Sequence, residues 1–217
     1  MRPTCIPGCA DGEFCGNDCK CRRVQAPLPD LVVVQSALRN GLAFETNNYR
    51  STSCAVVEGC VAAAGVRRIM RFEVRALNVG QANLDLGIPA RRPERYQWSP
   101  CHRHYHFAGF AEYELRELGT GRIVVKGRKQ AFCLEDIARA VSSPAIACNQ
   151  RYTCSDQGIQ RGWADVYSAR LDCQWLDVTD VPAGRYRLVV RINPERILQE
   201  VTYDNNEAST ELDIPAP

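Results

Sequence analysis

The stretch Tyr186-Arg-Leu-Val-Val-Arg-Ile192 places apolar side chains at every second position. A second run does the same: Met70, Phe72, Val74 and Ala76 alternate with charged residues. A period of two is typical of strands that bury one face. Turn signals containing Gly, Pro or Asn occur at 78–80, 182–184 and 193–194. The pattern predicts a mainly β fold, an antiparallel β-sandwich with long loops and few short helices. One short helix is expected from Cys133 to about Val141.

Cysteine usage divides the chain and indicates its compartment. Twelve of the 217 residues are cysteine, which favours an oxidising environment. We therefore expect a disulfide-stabilised protein that is secreted or periplasmic. Residues 1–28 contain five cysteines and almost no apolar periodicity, so this segment needs disulfides to hold its shape. The predicted domains are a Cys-rich, disulfide-stabilised N-terminal segment at 1–28 and one larger domain at 29–217.

Charge and hydropathy give no support for two classes of partner, nucleic acid and membranes. The net charge of +2 is too small to argue for nucleic acid or anionic membranes. No stretch approaches the roughly 18 apolar residues of a membrane span. We expect neither nucleic acid nor membrane as a partner.

The three histidines of the chain fall within five residues, in Cys101-His-Arg-His-Tyr-His106. In a strand this spacing places His102, His104 and His106 on one face and turns Arg103 and Tyr105 away. Three convergent imidazoles suit zinc, copper, iron or nickel. The sequence therefore predicts a three-histidine metal site, and the histidines alone fit a zinc hydrolase as well as a copper redox centre.

The extended histidine segment and two further segments, taken in order along the chain, narrow the choice of function. They are Trp98-Ser-Pro-Cys-His-Arg-His-Tyr-His106, Lys129-Gln-Ala-Phe-Cys-Leu-Glu-Asp136 and Asp165-Val-Tyr-Ser-Ala-Arg-Leu-Asp-Cys-Gln-Trp-Leu-Asp177. Together they closely resemble the catalytic domain of the lysyl oxidase family, and the likeness covers roughly residues 30 to 210. The resemblance implies a copper-dependent amine oxidase that oxidises primary amines, above all peptidyl lysine, to aldehydes. Molecular oxygen is its second substrate, and ammonia and hydrogen peroxide are released.

The same resemblance assigns roles to individual residues. It implies that His102, His104 and His106 bind copper. It also implies that Tyr167 is oxidised and joined to Lys129 as a self-derived lysine tyrosylquinone. Zinc can occupy the copper site in an immature form. Removing a proton from the substrate needs a positioned base, and Asp165, two residues before Tyr167, is our candidate.

The resemblance also implies structural features around the site. The expected disulfides are Cys101–Cys148 and Cys54–Cys60, while the pairing of Cys133, Cys154, Cys173 and the N-terminal cysteines stays open. A structural calcium site is expected from four oxygen-bearing residues, a ligand type that suits a hard cation. These residues are Asp30, Glu200, Asn205 and Asn206.

Two other functions compete with the oxidase. One is a non-catalytic, metal-stabilised β-sandwich that binds a partner. The other is a zinc hydrolase, which gives Lys129 and Tyr167 no role and lacks an obvious general-base glutamate near the histidines.

Overall fold

The computed structural model describes residues 13–15, 20–23, 26–127 and 132–216. Lys129 and most of the N-terminal segment lie outside the described residues. Within them, the chain forms strands and few helical turns. The helical elements are α1 (Cys54–Val57) and 3-10 helices at Gln35–Arg39, Pro89–Arg91 and Pro93–Arg95. The strands, numbered in chain order, are β1 Glu13–Cys15, β2 Cys21–Arg23, β3 Leu31–Val33, β4 Ala43–Tyr49, β5 Gly65–Arg71, β6 Val74–Asn78, β7 Leu84–Gly87, β8 Tyr96–Ser99, β9 His104–Phe107, β10 Ala111–Glu117, β11 Ile123–Lys126, β12 Ala138–Arg139, β13 Gln157–Ile159, β14 Trp163–Tyr167, β15 Trp175–Asp177, β16 Gly184–Ile192 and β17 Glu207–Ile214.

Two four-stranded antiparallel sheets form the centre of the molecule. One has the order β11-β10-β16-β17 and the other β12-β14-β6-β3. Apolar side chains from both sheets belong to one buried cluster, which includes Val74, Tyr113 and Leu188. The predicted mainly β, antiparallel and disulfide-stabilised fold is confirmed.

Smaller sheets surround this centre. They are the three-stranded β15-β5-β4 and the pairs β1-β2, β7-β13 and β8-β9. The β8-β9 hairpin carries the histidines, and β14 carries Asp165 and Tyr167.

Two local predictions need correction. The run from Met70 to Ala76 is buried on its apolar side, but it is not one strand: β5 ends at Arg71 and β6 begins at Val74. The helix predicted from Cys133 does not form, because the backbone there bonds to other segments instead. Asp136 N donates to Tyr152 O, and Ile137 N donates to Ala164 O.

Candidate functional site

The three histidines converge, although only two of them lie in a strand. His104 and His106 are in β9 and share one face, as the period of two predicts. His102 precedes the strand, so its expected place in a strand is wrong. Arg103 adopts a left-handed backbone (φ 58°) and its N–H donates to Ser99 O, which closes a turn. That turn brings the His102 ring to the other two.

The geometry of the histidine cluster fits a metal ion. The ring centroids lie 5.7 Å apart for His102 and His104, 5.3 Å for His102 and His106, and 4.9 Å for His104 and His106. One nitrogen from each ring lies within 4.8 Å of the others. His106 is buried, while His102 and His104 are partly exposed. Three imidazole nitrogens in a half-open setting are a donor set that copper and zinc accept.

Tyr167 and Asp165 form a buried pair on the same face of β14. Tyr167 is 2% exposed and Asp165 1%. The phenol of Tyr167 donates to Asp165 Oδ2 at 2.6 Å, and the carbonyl of Cys133 lies 3.3 Å from the same hydroxyl. The backbone N–H of Glu135 also donates to Asp165 Oδ2, at 3.3 Å. Residues two apart on a strand point the same way, which explains the contact.

Burial controls the protonation of this pair. It raises the pKa of Asp165 well above its ordinary 3.8, although the hydrogen bond from Tyr167 opposes the shift. Burial and the neighbouring Asp165 carboxylate raise the pKa of Tyr167 well above 10.0. The carboxyl is therefore a stronger base than an exposed aspartate, and the phenol keeps its proton.

Phe132 connects the histidines to the tyrosine. Its ring centroid lies 4.9 Å from that of Tyr167 and 6.1 Å from that of His106. Its carbonyl accepts the N–H of Phe107, at the end of the histidine strand, at 2.9 Å. The Phe132 ring thus contacts both His106 of the cluster and Tyr167 of the buried pair. Lys129, three residues before Phe132 in sequence, lies outside the described residues.

The disulfides around the site differ from the expected pairs. Within residues 26–127 and 132–216 the bonds are Cys54–Cys101, Cys60–Cys173 and Cys133–Cys154, with Cα–Cα distances of 5.8, 5.2 and 5.1 Å that suit a disulfide. Cys148 is exposed and free. The expected Cys101–Cys148 and Cys54–Cys60 bonds are therefore wrong here, because the structure places Cys54 against Cys101 and Cys60 against Cys173. Cys133–Cys154 lies beside His104.

The four residues expected to bind calcium come together around the start of β3. Glu200 is buried, and its carboxylate accepts Leu31 N at 2.6 Å and Asn206 Nδ2 at 2.8 Å. Asn205 Nδ2 donates to Asp30 Oδ1 at 3.2 Å. The side-chain oxygens of both asparagines are buried without a hydrogen-bond partner. Burial raises the pKa of Glu200.

Two buried oxygens without donors are costly, and a hard cation would satisfy them. The donor set of this second site therefore fits calcium.

Sequence reasoning missed one acidic residue beside the histidines. Glu58 lies next to His102, with Oε2 3.5 Å from Nδ1, and Ser99 Oγ donates to its other oxygen. Glu58 is 44 residues from His102 in sequence, and nothing in the Cys54–Cys60 segment predicted this approach.

Comparisons with known proteins define the class. The family model described as lysyl oxidase matches residues 29–215. The chain is 36% identical over 191 residues to lysyl oxidase homolog 1 of Homo sapiens, covering 82% of this chain and 32% of that protein. It is 33% identical over 200 residues to protein-lysine 6-oxidase of Sus scrofa, covering 87% and 77%. The chain therefore belongs to the lysyl oxidase family.

The match is partial for several relatives. The chain spans about a third of the length of the first lysyl oxidase homologs it matches, 32% and 31%. Among solved structures, the CARDB domain of the PF1109 protein from Pyrococcus furiosus aligns with 89% of this chain, at 10% sequence identity and a TM-score of 0.34. This likeness is too weak to carry an argument about fold or function. In the part of the chain that the structure describes, no helix is long and apolar enough to span a bilayer.

Proposed function

We propose that this protein is a copper amine oxidase that oxidatively deaminates primary amines, above all peptidyl lysine. The overall reaction converts R-CH2-NH2, O2 and H2O into R-CHO, NH3 and H2O2. The observation that carries the proposal is the convergence of the three imidazoles near the Tyr167–Asp165 pair, with the Phe132 ring in contact with both His106 and Tyr167. Membership of the lysyl oxidase family supports it.

In this proposal His102, His104 and His106 hold copper, and Lys129 and Tyr167 form the lysine tyrosylquinone. When bound, copper supplies the redox chemistry for oxidising Tyr167 with oxygen, and the finished quinone supplies an electrophilic carbonyl and a two-electron sink. Zinc fits the same three nitrogens and would occupy them in an immature form.

Asp165 is the proposed general base. Its Oδ2 already accepts the phenol proton of Tyr167 at 2.6 Å, so it is within reach of chemistry at that ring. A base works best when its pKa approaches the working pH, and burial moves the pKa of Asp165 in that direction. Phe132 and Phe110 contact the Tyr167 ring, with centroid distances of 4.9 and 6.2 Å, and help to exclude water from it.

Lys129 is the proposed partner of Tyr167 in the crosslink. Phe132 contacts the Tyr167 ring, and three extended residues span at most about 11 Å, so a lysine three positions earlier is within chain reach. Only a neutral amine is nucleophilic, so the crosslink needs Lys129 in its unprotonated form.

Two further parts of the proposal concern the surroundings. Asp30, Glu200, Asn205 and Asn206 hold a structural calcium ion, supported by the two asparagine oxygens that are buried without donors. The protein works in an oxidising compartment, secreted or periplasmic, which the disulfides around the site support.

The test is peptide mass mapping after copper loading in air, with metal content and peroxide release measured on the same sample. We expect one copper per chain, a covalent Lys129–Tyr167 peptide pair, and peroxide when a lysine-containing peptide is added. Lys129→Arg and Tyr167→Phe should each keep the copper and lose the crosslink. Two unmodified peptides at full copper occupancy would overturn the oxidase and favour a metal-stabilised binding module.

A further inference from the structure

Glu58 is placed against a proposed metal ligand without being one of the three. Its side chain is 6% exposed, and Oε2 faces His102 Nδ1 at 3.5 Å. The other oxygen accepts the hydroxyl proton of Ser99, and that hydroxyl oxygen accepts His102 N–H at 3.1 Å. Carboxylate, hydroxyl and histidine therefore form one connected group behind the His102 ring.

We propose that Glu58 is a positioning residue of the copper site. Its carboxylate accepts a hydrogen bond from the Nδ1–H of His102. This bond fixes the orientation of the ring and leaves Nε2 as the metal-binding nitrogen. A ligand histidine that donates its second N–H to a carboxylate is a stronger and better oriented donor. This inference rests on the proposed copper site, but the pairing of Glu58 with His102 exists without the metal.

The covalent frame keeps Glu58 in this place. It follows α1 directly, and its N–H donates to Cys54 O at 2.8 Å. Cys54 is bonded to Cys101, the residue before His102, and Cys60 is bonded to Cys173. Both ends of the segment that carries the carboxylate are thus crosslinked, one of them to the neighbour of the ligand itself.

Burial separates this contact from an ordinary surface ion pair. Exposed pairs contribute little because water screens them. A carboxylate that is nearly removed from water is costly unless polar partners face its oxygens; here the Ser99 hydroxyl donates to one oxygen and His102 Nδ1 faces the other at 3.5 Å. The arrangement accounts for the buried acid, which the proposed chemistry at Tyr167 does not use.

The first test reads the tautomer of His102 in metal-free protein. The chain has three histidines, so a long-range 1H–15N spectrum of the imidazoles contains three ring systems. Single His→Asn variants assign them. At a pH where the rings are neutral, we expect His102 to carry its proton on Nδ1 in the wild type and to lose this preference in Glu58→Ala. A wild-type His102 protonated on Nε2 would overturn the inference.

The second test measures Cu²⁺ affinity by competition with a chelator, together with the copper EPR spectrum. Glu58→Gln keeps the side-chain volume but replaces one of the two accepting oxygens with an NH2 group. It is therefore the test variant if Glu58→Ala does not fold. We expect Glu58→Gln to weaken Cu²⁺ binding by about 10- to 100-fold and to alter the spectrum. The control Glu195→Gln, at an exposed glutamate, should change neither.

The outcomes distinguish the two proposals. Wild-type protein that binds no Cu²⁺ through its histidines overturns the proposed copper site and this inference with it. Wild-type protein that binds Cu²⁺, with Glu58→Gln equal to it in affinity and spectrum, overturns only the role of Glu58.

Discussion

Replacing Tyr167 with Phe in metal-free protein tests the buried pair on β14 directly. The change removes the hydroxyl that donates to Asp165 Oδ2 at 2.6 Å and leaves the ring contacts with Phe132 and Phe110 in place. Asp165 keeps the backbone N–H of Glu135, at 3.3 Å, as a donor. The perturbation is therefore the loss of one short hydrogen bond to a buried carboxyl.

The expected loss depends on pH. A hydrogen bond to a charged group contributes about 1.5–3 kcal/mol and a neutral one about 1 kcal/mol. Burial raises the pKa of Asp165 in the folded protein well above 3.8, its value in the unfolded chain. The stability that the protonated carboxyl contributes is therefore fully present below pH 3.8 and is lost as the pH rises through the folded-state pKa. The phenol lowers that pKa, so removing it raises the pKa further. Tyr167→Phe should thus cost about 1 kcal/mol at low pH and about 2–3 kcal/mol once Asp165 is ionised.

Tyr113→Phe is the matched control. Tyr113 is also fully buried, but its hydroxyl donates to the neutral Gln174 Oε1 at 3.0 Å. We expect a loss of about 1 kcal/mol that changes little with pH. The assay is guanidinium unfolding of both variants and the wild type from about pH 4 to about pH 8, with the disulfides intact. Equal losses for the two variants at every pH would refute the reasoning about Asp165.

Three further predictions concern the frame of the site. Asn193→Ala should lower the free energy of unfolding by about 2–4 kcal/mol, because Asn193 has φ 46° and its side chain hydrogen-bonds to Leu198 and Glu200. Asn193→Gly loses the same hydrogen bonds but adopts this φ without strain, so its loss in denaturant unfolding should be slightly smaller. A disulfide stabilises more when it closes a longer loop, because it removes more entropy from the unfolded chain. Replacing both cysteines of Cys60–Cys173, which closes a loop of 113 residues, should therefore cost about 4–5 kcal/mol in the same assay, against about 3 kcal/mol for the 21-residue Cys133–Cys154 loop. The reverse order would contradict this reasoning. In calorimetry, added calcium should raise the melting temperature of the wild type and not that of Asn206→Ala. The same rise in melting temperature for both proteins would exclude Asn206 as a calcium ligand.

Periodicity predicted the burial of the strands but not the sheets they join. Tyr186, Leu188, Val190 and Ile192 point into the core along a single strand, as predicted. The equivalent run around Phe72 is divided, because β5 pairs with β4 and β15 whereas β6 pairs with β14 and β3. An alternating pattern continues unchanged when the chain passes from one sheet to another, so the pattern cannot show the break.

The candidate site was predictable where it depends on neighbours in sequence. The His104–His106 spacing and the Asp165–Tyr167 spacing both place side chains on one face of a strand. Glu58 and the disulfide partners depend instead on how distant loops meet. Cysteine spacing leaves many pairings open, and the family pattern assigned Cys54 and Cys101 to other partners than the structure does.

The Cys54–Cys101 bond has a consequence for the order in which the protein matures. His102 lies in the turn outside β9, and the Cys54–Cys101 crosslink anchors that turn from the residue before it. For the proposed copper site, we therefore expect oxidation of this cysteine pair to come before binding of the metal. A cell that supplied copper before its thiols were oxidised would deliver the ion to a ligand set in which only His104 and His106 are held by a strand.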